Sequence, residues 1–229
     1  MLYTEEAAKA NIRNREGKRV FFIGKGDTLT PGARDWLRRE KIEILPGEQA
    51  KFQEFRLLNG GFLPKKPEHM THLHGNVLVD KTHPRIRFRG ALDTLEAEIL
   101  LCGLAMPEKR QELGEILALS REMIRCDVLE QPLAEKPLCG LSAEELRQRS
   151  HFPQKFYEQP HFMPDFGDGE KILRLNRLRT QVRETELAAV AAFLAPEGTL
   201  TRTDIPRALN RLSSLVYIWM IELQRNGKL

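Results

Sequence analysis

Along the second half of the chain the apolar residues recur at steps of three and four; along the first eighty they do not. Leu92, Leu95 and Ile99 form one such stripe and predict a helix over roughly 86–105. Pro107 opens a second, whose positions Leu113, Ile116, Leu117, Ser120, Ile124 and Val128 share a face. In "LSAEELRQRS" Ser142 precedes Glu145 by three residues, the pattern of a capping box before a short helix. Two long helices are predicted over 171–195 and 203–226, separated by "PEGTLTRTD". No strand pattern occurs after residue 80, and four long helices joined by loops imply a bundle.

The first third reads differently. "KRVFFIG" and "IEIL" have strand character, and between them "TPGARDWLRREK" predicts a helix with Thr30 as cap and Pro31 at its first position. "GKGDT" lacks the spacing of a phosphate loop and reads as a turn. Residues 46–70, rich in Gly and Pro, read as a linker. The expected organisation is a small N-terminal α+β unit with its linker over 1–65 and a helical domain over 66–229, a mainly α protein.

Composition narrows the class. A hydrophobic fraction of 41% and a charged fraction of 30% fit a globular protein. The net charge of +4 comes from 36 basic residues interleaved with 32 acidic ones, which argues against a nucleic-acid surface. No apolar run has membrane-spanning length, and the N-terminus shows no apolar signal core. Cys102, Cys126 and Cys139 are odd in number and widely spaced, which favours core thiols in a reducing cytoplasm over disulfides or a cysteine metal site.

Candidate chemistry lies in two polar stripes. Asn176, Arg179, Arg183 and Glu186 line one face of the 171–195 helix. Helix geometry alone favours a solvated face there, with Arg183 pairing to Glu186. Asn210, Ser213, Ser214 and Tyr217 form a comparable stripe on a helix otherwise rich in Leu, Val, Ile and Trp. Asn210 is a poor mid-helix residue, and a core amide bonded to backbone would account for it. Matched stripes in one bundle, together with Asp93, also describe a pocket for a polar anion, with Arg as donor and Asn as orienting amide. Upstream, Arg85, Arg87 and Arg89 alternate with Ile86 and Phe88 at the mouth of the first long helix.

Three segments in order carry a family resemblance: "HPRIRFRGALDTLEAEIL", "FMPDFGDGEKILRLNRLRTQVRETE" and "LNRLSSLVYIW". Together they resemble the helical-bundle cobalamin adenosyltransferases over roughly residues 69–225. "KKPEHMTHL", "IRCDVLEQPL", "GLSAEELRQRSH" and the N-terminal "LTPGARDWLRREKIEI" are similar to the ethanolamine-utilisation branch. The resemblance implies a five-helix bundle, a homotrimer, and transfer of the 5′-deoxyadenosyl group of ATP to cob(I)alamin. Adenosylcobalamin and triphosphate would be the products, with ethanolamine ammonia-lyase or its reactivation machinery as partner.

The same resemblance implies residue roles. Arg179 and Arg183 match two arginines of the family's ATP-binding helix, and Glu186 and Asn210 match its glutamate and asparagine. Asp93 matches an aspartate that pairs with the first of those arginines across subunits, so Asp93, Arg179 and Arg183 are the expected catalytic set. Arg85 is in register with a family arginine. Thr71 and Lys81 stand where the family has its phosphate loop, whose Gly-Asp-x-Gly-Thr residues are absent. Phe152, Phe162 and Phe166 are candidates for an apolar corrinoid wall, and a loop packed down on the bundle explains each equally well.

The chain departs from the family at Glu184 and Ser214. It also lacks the cysteine cluster that some members of the branch carry ahead of "KKP". His69, His72, His74 and His83 remain, and imidazole clusters can bind zinc, but H-x-x-H-x-H in a loop is more often solvated or hydrogen-bonded, so no structural metal is expected, and Mg²⁺ only with ATP. The alternative reading is a non-catalytic scaffold or regulator associated with a bacterial microcompartment.

Overall fold

The computed structural model describes residues 2–15, 18–46 and 55–226. The chain divides into two compact units, residues 1–67 and 68–229.

In the first unit, β1 (Leu2–Tyr3) pairs in parallel with β4 (Thr28–Leu29). A three-stranded sheet has the order β2–β3–β5, from β2 (Ile12–Arg15), β3 (Lys18–Ile23) and β5 (Glu43–Pro46). β3 is antiparallel to β2 and parallel to β5, with Phe21 opposite Ile44. α1 (Glu5–Ala10) and α2 (Pro31–Arg39) begin at Thr4 and Thr30, whose side chains accept the N–H of Ala7 and Ala33. Phe21, Leu29, Ala33, Trp36, Leu37 and Ile42 close a small core with Ala8. The expected 46–70 linker contains more structure than its Gly and Pro content suggests. Residues 47–54 lie outside the described residues. β6 (Phe55–Leu57) and β7 (Phe62–Leu63) then form a hairpin whose turn holds Gly60 at a positive φ of 85°.

The second unit opens with the hairpin of β8 (Met70–His74) and β9 (Val77–Asp80), which also extends into the stretch expected to be linker. α3 (Pro84–Ala105) follows, and His83 Nδ1 caps it by accepting the N–H of Arg85 at 3.2 Å. Pro107 does not open a regular helix. It starts a 3₁₀ turn over Pro107–Lys109, and α4 runs over Arg110–Val128. α5 (Ala143–His151) has both bonds of the capping box between Ser142 and Glu145. A five-residue α6 (Pro153–Tyr157) interrupts the expected aromatic loop. α7 (Gly169–Phe193) and α8 (Asp204–Asn226) are the two longest helices.

Helices α3, α4, α5, α7 and α8 surround a continuous core that includes Phe88, Leu92, Leu95, Ile116, Leu178 and Leu212. The stripes read from sequence are its inward faces, so the protein is mainly α with small sheets. Two polar contacts fix the antiparallel pairing of α3 with α7. The buried hydroxyl of Thr185 donates to the Ala91 carbonyl at 3.3 Å, and Cys102 Sγ approaches the Arg174 carbonyl at 3.7 Å. All three cysteines are free thiols; burial pushes those of Cys102 and Cys139 up to about 11 and about 12. No helix is long and apolar enough to cross a membrane.

Candidate functional site

The two polar stripes meet at the seam between α7 and α8. Asn210 Nδ2 donates to Glu186 Oε1 at 3.0 Å, so the mid-helix asparagine is satisfied by the neighbouring helix. The Asn210 carbonyl accepts from the hydroxyls of Ser213 and Ser214 at 2.8 and 3.3 Å. The expected Arg183–Glu186 pair does not form; Arg183 is exposed and has no ion pair among the described residues. One turn earlier, Arg179 is half-buried and equally unpaired, with its guanidinium 5.0 Å from the centre of the Tyr217 ring. Burial first, and then repulsion by Arg183, depress the pKa of Arg179, while Tyr217 acts weakly the other way. Two neighbouring cations without a counter-charge are poised for an oxyanion.

Tyr217 connects this seam to the aromatic loop. Its hydroxyl accepts the Phe162 N–H at 3.3 Å and lies 3.1 Å from His161 Nδ1. The rings of His161 and Phe162 stack near it, with centroids at 6.0 and 6.1 Å. Phe162 is thereby packed down against Tyr217, whereas Phe152 is 56% and Phe166 96% exposed. His161 was missed from sequence, and Tyr217 was counted only as one member of a stripe. A tyrosine facing a Pro-bounded aromatic loop was the available signal.

The other expected residues do not join this group. Asp93 is exposed on α3, with no hydrogen bond or ion pair of its side chain among the described residues. Thr71 pairs with Val79 in the β8–β9 hairpin, and Lys81 is bonded to Glu68 at 3.1 Å. Arg85 is committed elsewhere. Its Nε donates to Asp127 Oδ1 at 2.8 Å, its Nη2 to the Asp127 carbonyl at 2.7 Å, and its Nη1 to Glu130 at 3.1 Å. Arg89 holds the other Asp127 oxygen at 2.6 Å and the Leu73 carbonyl at 2.6 Å. Asp127 is fully buried and was overlooked. Its spacing from Ser120 and Met123 already placed it on the inward face of α4. Of the histidines, His69 and His74 lie 3.7 Å from Asp80 and Glu130, and among the described residues no group of three or more His, Cys, Asp or Glu side chains gathers as a metal site.

A family profile for cobalamin adenosyltransferase matches residues 63–223. The corrinoid adenosyltransferase EutT of Salmonella typhimurium is 39% identical over 242 residues, covering 95% of this chain and 90% of that protein. EutT of Escherichia coli K12 shows the same identity and coverage.

Proposed function

Because the chain belongs to the cobalamin adenosyltransferase family, we propose that the α7–α8 seam binds ATP and that this corrinoid adenosyltransferase moves the 5′-deoxyadenosyl group of ATP to cob(I)alamin. The observation that carries the site is the pair of unpaired arginines, Arg179 and Arg183, beside the Asn210–Glu186 bond. The cobalt(I) lone pair forms a bond to the 5′ carbon, the bond from that carbon to the triphosphate oxygen breaks, and triphosphate leaves with the electron pair. Arg179 and Arg183 neutralise the charge that grows on the leaving oxygens. Asn210 and Glu186 orient the nucleotide, and Mg²⁺ travels with its phosphates.

The remaining roles are assigned on the same reading. Phe162, held by Tyr217, supplies apolar surface to the corrinoid, and the exposed Phe152 and Phe166 are assigned to the same wall. Thr71 and Lys81 are assigned to the outer phosphates, and Lys81 must leave Glu68 to reach them. Arg85 would have to break its bonds to Asp127 and Glu130 to touch phosphate, so it is assigned to bracing. A homotrimer is supported by the unpaired Asp93, available to Arg179 of a neighbouring copy, and by exposed Leu100, Leu101 and Leu104 on the same helix. Supply of adenosylcobalamin to ethanolamine ammonia-lyase, in the cytoplasm or within a microcompartment, fits the ethanolamine-utilisation relatives.

The test is ATP-dependent conversion of reduced cobalamin to adenosylcobalamin, followed by its visible spectrum, alongside the solution mass of the particle. Turnover by the wild type, lost in Arg183→Ala and Asn210→Ala with the fold intact, supports the site. Unchanged turnover in both variants removes it, and absence of turnover in the wild type returns the chain to a scaffold role.

A further inference from the structure

Arg211, next to Asn210 on α8, points to a different part of the molecule. Its Nη1 is buried and has no hydrogen-bond partner among the described residues. Burial first, and then the charges of Arg147 and Arg207, depress its pKa, outweighing the attraction of Glu144 and Glu186. No carboxylate forms an ion pair with it among the described residues. The acids that line the spaces beside it are engaged elsewhere: Glu135 with Arg207 at 3.2 Å, Glu122 with Arg125 at 2.7 Å, Asp204 with Arg202 at 2.5 Å, Glu115 with the Cys139 N–H at 3.1 Å, and Glu144 with the Gln148 amide at 2.7 Å. A charged donor left unpaired away from water is costly, and proteins seldom keep one without a reason.

The space beside it has a defined character. Arg211 borders a cavity of 560 Å³ whose walls include Leu119, Leu133, Leu138, Leu146 and Ala208. It also borders a recess of 360 Å³ shared with Ser142, Arg147, Arg207 and the carboxylates of Glu135 and Glu144. Arg207 and Arg211 line both, so a cationic recess adjoins an apolar cavity, which matches a ligand of the same two-part form.

We propose that this cavity between α4, α5 and α8, with the recess that adjoins it, binds a small organic anion, its carboxylate or phosphate head on Arg211 and Arg147 in the recess and its apolar body against the leucines. The site is separate from the α7 arginines, and the proposal does not depend on adenosyl transfer. Full-length protein is titrated with octanoate, octyl phosphate, inorganic phosphate and 1-octanol, with thermal unfolding and calorimetry as readouts. At millimolar concentration at least one of the two amphiphilic anions raises Tm by about 2–4 °C and binds once per chain, while octanol and inorganic phosphate do not. The two anions distinguish a carboxylate head from a phosphate head.

Arg211→Met abolishes this shift and leaves the ligand-free protein as stable as the wild type or more so, because an uncompensated charge has gone. Arg147→Met, at an exposed position, weakens the shift without changing the fold. The proposal is overturned if octanol matches the anions, if inorganic phosphate alone reproduces the shift, if neither anion binds, or if the shift survives Arg211→Met. A lower ligand-free Tm in Arg211→Met also overturns it, since that identifies the arginine as structural.

Discussion

Two pairs of arginines in the same helical unit live in opposite circumstances. Arg85 and Arg89 close on the fully buried Asp127, and their remaining donors reach Glu130 and the carbonyls of Asp127 and Leu73. Arg179 and Arg183 have a tyrosine face and each other, and no carboxylate among the described residues. The first pair is complete within the chain and ties β8, α3 and α4 together. The second is incomplete without something negative. Residue type is therefore a poor guide to role, and the state of a guanidinium's donors is a better one.

The largest expected effect falls on the complete pair. Asp127→Ala strands two partly buried cations and lowers stability by about 3–5 kcal/mol in urea unfolding. A loss under about 1 kcal/mol would mean that the network does not hold these elements together. The incomplete pair behaves in reverse. Arg179→Ala and Arg183→Ala each lower kcat/KM for adenosyl transfer by about 100-fold or more, and Tm stays within about one degree of the wild type. A large drop in Tm would move these residues into the structural class.

Tyr217→Phe gives a smaller effect, about 3–10-fold. The ring remains beneath Arg179, but the bonds to Phe162 and His161 are lost. Measured KM should rise for the corrinoid and not for ATP; an equal rise for both would mean that the hydroxyl does not act through the loop. The smallest effect concerns acid. Burial raises the pKa of Asp204, but its bonds from Arg202 and the Leu133 N–H together outweigh that and leave it below the ordinary value. Its contribution is present above the unfolded value of about 3.9 and is lost as pH falls through the lower folded one. The drop in Tm between pH 7 and pH 3 should therefore shrink in Asp204→Asn, and an unchanged drop would remove Asp204 from the acid response.

Much of the helical architecture was readable because periodicity reports burial directly. The stripe Leu92, Leu95 and Ile99 is buried in the structure, and Ser142 with Glu145 forms the capping box its spacing announces. The strands β6, β7 and β8 were concealed because they are two to five residues long and sit among glycines and prolines. At the candidate site, sequence identified which residues share a helix face but not which partners they choose. Arg183 and Glu186 have ideal spacing for an ion pair, yet Glu186 bonds across the seam to Asn210. The spacing of Asp127 marks it as inward-facing on α4, but its partners Arg85 and Arg89 lie about forty residues away and are brought to it only by the fold.

The Thr185 hydroxyl, shared between the carbonyls of Ala91 and Gln181, acts as a bolt through two of the longest rods of the bundle. With that bolt set, α7 resists sliding along α3, and the arginines it carries keep a fixed height. The aromatic loop over residues 158–165 is tied down separately, by the Tyr217 hydroxyl at His161 and Phe162 and by the His151 carbonyl at His161 Nε2.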